Sequence, residues 1–60
     1  MTQADFVTGM EMELQLRGVP FDRSELETFA QDVWSLAEEN PDTVRWAEAF
    51  LYERQRTKEV

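Results

Sequence analysis

Hydrophobic positions recur with helical spacing in three segments of this chain, and each segment is closed by residues that stop a helix. In the first, Phe6, Val7, Met10 and Leu14, continued by the stem of Arg17, share one face of a helix predicted over residues 3–17. Thr2 precedes it as a capping residue, with Asp5 three positions on. Glu13 and Arg17 are spaced i,i+4 in the favourable order for an ion pair. Gly18 is suited to the left-handed conformation that ends a helix, Val19 is expected to pack back on Leu14, and Pro20 cannot continue the helix.

The second segment, from Phe21 to Pro41, is the most clearly delimited. Asp22 is the expected N-cap and Glu25 its reciprocal partner, while Phe21 and Leu26 sit where a hydrophobic staple requires them. Leu26, Phe29, Ala30, Val33, Leu36 and Ala37 form a broad apolar face with Trp34 at its edge; Glu27, Thr28, Gln31, Asp32, Ser35, Glu38 and Glu39 fill the rest. This helix, predicted over 23–39, is expected to be central to the domain. Pro41 disfavours helical geometry at Asn40, and Asn40 is in turn the expected cap of a third helix over 41–56. Its inner face is expected to carry Val44, Trp46, Ala47, Phe50, Leu51 and the stem of Arg54, with residues 57–60 fraying. No period-2 run is long enough for a strand, and nothing repeats. The expected fold is all-α, a single compact three-helix domain across residues 1–60.

The segment from Asn40 to Tyr52, a Pro-containing turn leading into a helix with an early Trp46, resembles the boundary between tetratricopeptide repeats. That family needs a 34-residue period, which residues 1–39 do not supply, so the likeness stops at the grammar of helix, turn and helix.

Composition narrows what holds such a fold together. A chain of 60 residues buries only about 60% of the surface its unfolded form exposes, so its margin is thin. With no Cys and no His, disulfides and imidazole–thiolate zinc sites are unavailable, leaving helix packing and association as supports. The lack of Cys fits a reducing compartment. The opening Thr2-Gln3-Ala4-Asp5 lacks the basic and apolar regions of a signal peptide, and no apolar run approaches the roughly 20 residues of a membrane span. A cytoplasmic, non-membrane protein is therefore expected. Hydrophobic residues make up 42% of the chain, too many for disorder even at a net charge of −7, and that charge disfavours nucleic acid and anionic membranes. The charge is uneven: residues 1–44 hold ten acids against Arg17 and Arg23, whereas residues 45–60 hold four bases against three acids.

The side chains that usually carry catalysis are missing. Without His or Cys the common general bases and thiol nucleophiles are absent, and Ser24 and Ser35 have only carboxylates near them in sequence. The acidic pairs Glu11/Glu13, Glu25/Glu27 and Glu38/Glu39 are one or two residues apart and do not face each other on a helix. The run from Glu38 to Asp42 lacks the alternating ligands and central Gly of a calcium loop, and the two glycines are isolated rather than clustered for phosphate. The expectation is no enzyme, no catalytic residue, no metal, no cofactor and no small-molecule substrate.

Association remains. Gly9, Met12 and Leu16 form a second, narrower stripe on the first helix, roughly opposite Phe6 and Met10, where a surface helix should be polar. Gly permits close backbone approach, Met suits adaptable interfaces, and Trp46 is a further candidate anchor. A protein-contact module, with self-association included, is the expected function. The alternative is a helix-turn-helix-like DNA-binding or regulatory domain, using Arg45, Tyr52 and Arg56 on the outward face of the third helix, where Glu48 sits beside them.

Overall fold

A computed structural model describes residues 1–58, with side chains through Arg56, as three α-helices: α1 (Gln3–Leu16), α2 (Arg23–Ala37) and α3 (Thr43–Lys58). The expected fraying of residues 57–60 falls partly outside this range; the helix itself reaches Lys58. No strand occurs among the described residues, and the molecule spans 32 × 23 × 19 Å.

The helix ends follow from local chemistry. Thr2 is extended, and its hydroxyl oxygen accepts from the Asp5 amide at 3.1 Å. At the far end Gly18 adopts φ 68°, the Val19 amide donates to the Leu14 carbonyl at 3.0 Å, and the Gly18 amide donates to Gln15 at 3.0 Å. That pair of bonds is a Schellman motif, and it turns Val19 inward against the core. Asp22 caps α2, but its carboxylate accepts from the Ser24 amide at 3.0 Å and the Ser24 hydroxyl at 2.9 Å. The Glu25 amide, which a capping box would give to that carboxylate, instead donates to the Asp22 carbonyl at 3.1 Å.

α2 stops at Ala37, two residues before the expected end, and α3 starts two residues later than expected. Asp42 rather than Asn40 caps α3: its carbonyl accepts from Trp46 at 3.0 Å and its carboxylate from the Arg45 amide at 3.3 Å. Asn-Pro-Asp offers two side chains able to cap. The Asn40 carbonyl is committed elsewhere, accepting the Trp46 indole N–H and the Asp42 amide, each at 2.9 Å.

The core consists of Phe6, Val7, Met10 and Leu14 from α1, Leu26, Ala30 and Ala37 from α2, and Ala47 and Phe50 from α3. Around it pack Val19, Phe21, Phe29, Val33, Trp34, Trp46 and Leu51. Five rings from the three helices run in series, Trp34 to Phe6 (5.6 Å between centroids), Phe6 to Trp46 (6.3 Å), Trp46 to Phe29 (6.4 Å) and Phe29 to Phe50 (5.5 Å). Tilted and edge-on geometries of this kind suit the quadrupoles of the rings.

Contrary to expectation, α1 and not α2 is central. α1 lies along both other helices, which touch each other least. It also supplies Phe6, Met10 and Leu14, three of the four largest fully buried side chains. Two residues expected inside lie in water: Leu36 is 64% exposed and Val44 is 44% exposed. The buried residues of α2 (Leu26, Ala30, Ala37) define a narrow arc, and at 3.6 residues per turn Leu36 falls roughly 90° from its centre.

Gly9 lies where α1 crosses the start of α3. A Cβ at this position would lie 2.5 Å from the Thr43 Cγ2, so the crossing needs the missing side chain. Three arginines tie the helices from outside. Arg17, the residue that caps the end of α1, bonds Glu13 on α1 and Glu48 on α3, both at 3.1 Å, and Arg23 pairs with Glu11 on α1 and Glu27 on its own helix. Arg54 donates to the Pro20 carbonyl in the α1–α2 connection at 2.5 Å. The ion pairs are exposed and individually worth little; their use is to fix which flanks of the helices face each other.

Candidate functional site

The four residues singled out for partner contact divide between two places. Gly9 is half-buried beneath Thr43, and on the same line of α1 lie Met12 and Leu16, 59% and 82% exposed. The spacing 5, 9, 12, 16 is that of one helical stripe, so Asp5 heads the same line. Across the crossing, Val44 follows Thr43 and shares a flank of α3 with Glu48, the residue bonded to Arg17. Met12, Leu16 and Val44 therefore border the seam between α1 and α3. Val44 was missed as a surface residue because its spacing with Ala47 and Leu51 reads as an inner face. The contact that rotates it outward, Thr43 on Gly9, joins residues far apart in sequence.

Trp46 is elsewhere. Its ring is half-buried between Phe6 and Phe29, and its N–H is held by Asn40. One edge of it lines a shallow groove of about 270 Å³ with Asn40, Arg45 and Ala49, on the flank of α3 that faces α2. Met12 and Leu16 thus share a seam with Val44, and Trp46 lies apart from them, packed in the aromatic series with one edge on the groove.

Charge frames the seam. Asp5 heads it, Asp42 precedes Thr43, and Glu13 and Glu48 flank Arg17. The Arg17 guanidinium is held above its ordinary pKa, chiefly by the hydrogen bond it donates to Glu48 and then by the one it donates to Glu13, so it stays charged and engaged. The rim thus carries the carboxylates of Asp5, Glu13 and Glu48, the last two engaged by Arg17.

Arg45, Tyr52 and Arg56 are exposed on the outer face of α3, where Arg56 comes within 4.0 Å of Glu53. A second groove, about 360 Å³, lies on α2 over Phe29, lined by Ser24, Glu25, Thr28 and Asp32. Among the described residues, no group of three or more acidic, His or Cys side chains converges on a possible metal position, and no helix is long and apolar enough to cross a membrane.

Compared with family models, curated proteins and solved structures, the chain matches none. Fold and surface together define a small all-helical domain in which the most exposed large apolar side chain among the described residues, Leu16, stands on the central helix.

Proposed function

We propose that this domain acts by non-catalytic contact with protein, and that the seam bordered by Met12, Leu16 and Val44 is the contact face. The observation that carries the reading is Leu16. The helix that buries Phe6, Met10 and Leu14 completely leaves Leu16 82% exposed, with Met12 beside it one turn back. Neither is needed by the core, and clustered apolar exposure on a small protein marks an interaction surface. Met12 adds a flexible side chain able to adapt to a partner. The outward face of α3 is not enlisted. A net charge of −7 repels the phosphate backbone on which DNA affinity rests.

The test compares the natural chain with Met12→Lys/Leu16→Lys. Both are expected to melt at similar temperatures, since neither side chain is buried. The variant is expected to lose whatever assembly the natural chain shows, either in sedimentation or in capture from its native lysate. Two equally stable proteins with identical sedimentation and identical captured material would sink the reading.

A further inference from the structure

Building on that contact face, we infer that its occupant is a basic amphipathic helix of another protein rather than a second copy of this chain. The charges around the seam set the chemistry. Asp5 shares the Met12–Leu16 line of α1, Glu48 shares the Val44 flank of α3, and Arg17 between them already donates to both Glu13 and Glu48. Two copies meeting face to face would set these carboxylates against their own counterparts, in a chain whose net charge is already −7. Like-charge juxtaposition of this kind selects against a partner, while complementary charge selects for one.

Size points the same way. Three exposed side chains on two helix flanks offer much less than the roughly 800 Å² per partner of a standard interface between globular proteins. A single helix laying an i, i+3, i+4 apolar stripe along the seam needs only such a strip. Lys or Arg on either side of that stripe would then face the acidic rim. Bonded as it is to both Glu13 and Glu48, Arg17 marks one end of the strip and keeps the α1 and α3 flanks in register.

The experiment titrates the protein with a designed helical peptide carrying Leu on one face and Lys on the other, and with its counterpart in which Glu replaces Lys. Calorimetry gives affinity and backbone amide shifts give location. The Leu/Lys peptide is expected to bind, with shifts concentrated in residues 9–16 and 43–48 and binding weakened by salt. The Leu/Glu peptide is expected not to bind. Leu16→Ser, at a position that is almost fully in water, should lower affinity by about tenfold or more without changing the melt. Equal binding of the two peptides would overturn the inference. So would shifts centred on the Phe29 groove, indifference to Leu16→Ser, or a natural chain that dimerises and is made monomeric by Met12→Lys/Leu16→Lys. Should the Leu/Lys peptide fail while that double variant still loses its lysate partner, the basic occupant is refuted and the contact face stands. Should both fail, the contact face falls as well.

Discussion

A methyl group at position 9 would lie 2.5 Å from Cγ2 of Thr43 and 3.2 Å from its Cβ. Thr43 is β-branched and stiff about χ1, so it cannot swing aside as a long side chain would. Ala favours a helix interior over Gly by up to about 1 kcal/mol, yet forcing an extra carbon into a packed crossing costs about 1–3 kcal/mol. The second effect should win. Gly9→Ala is expected to destabilise the domain by about 1 kcal/mol in urea unfolding, and Gly9→Ala/Thr43→Ser to recover most of the loss by removing Cγ2. A Gly9→Ala variant more stable than the natural chain would show that the crossing can relax. This demand on residue 9 is hidden in the sequence. Gly9 stands out as an anomaly in a helix, but the atom that requires it is 34 residues away, and the local pattern pointed instead to approach by a partner.

At the scale of the helix, local signals were the readable ones. Thr2, the Gly18–Val19 turn and Asp22 act within five residues of themselves, and each does what its chemistry implies. The start of α3 was less legible because Asn40 and Asp42 are equally fit to cap it. A side-chain bond within the turn goes with the choice: the Asn40 carbonyl is taken by the indole of Trp46 and the Asp42 amide. Leu36 and Val44 were misplaced for a related reason: periodicity gives the centre of an apolar face, whereas its width depends on how closely the neighbouring helix approaches. The Asp22 cap carries a pH signature. The Ser24 amide, then the Ser24 hydroxyl, hold the Asp22 carboxyl below its ordinary value of 3.8. With a depressed folded-state pKa, the unfolded chain takes up the proton first. The stability from this cap is complete above 3.8 and is lost as pH falls through the folded-state value. Asp22→Ala should therefore lower the melting temperature by roughly 5 °C near neutral pH, and the gap to the natural chain should close in strong acid. A gap that stays constant from neutral to strongly acidic pH would contradict the cap's ionised role.

For the molecule as a whole, the three-helix class was legible from three apolar faces and two clear breaks, but the hub was not. Helix α2 has the best-marked ends and the broadest apolar face, and from sequence alone these suggested the centre. Centrality is decided by which helix has both sides covered, and that belongs to α1, with Val7 and Glu11 toward α2 and Gly9 toward α3. Phe6 joins the aromatic series at this hub, touching Trp34 on one side and Trp46 on the other. Removing a buried Phe ring costs about 3–5 kcal/mol, which is comparable to the whole stability of a domain this small, at about 0.05–0.15 kcal/mol per residue. Phe6→Ala is expected to abolish the cooperative melt and the near-ultraviolet signal of both tryptophans. A cooperative transition retained in that variant would show that the ring series is not what holds the helices together.

The pairing of α1 with α3 also sets a schedule. A bundle whose neighbours in sequence are its main neighbours in space can assemble stepwise as it leaves the ribosome. Here the first helix finds one of its two walls only in the last, as Phe6 meets Trp46 and Arg17 meets Glu48. Contacts so distant along the chain must be brought together against the entropy of the intervening loop. Until α3 has emerged, α1 keeps one flank bare, and the nascent chain shows Phe6 and Met10 to the cell before it can hide them. The acidity of residues 1–44 then acts before the fold exists, holding the unfinished chain in solution by mutual repulsion.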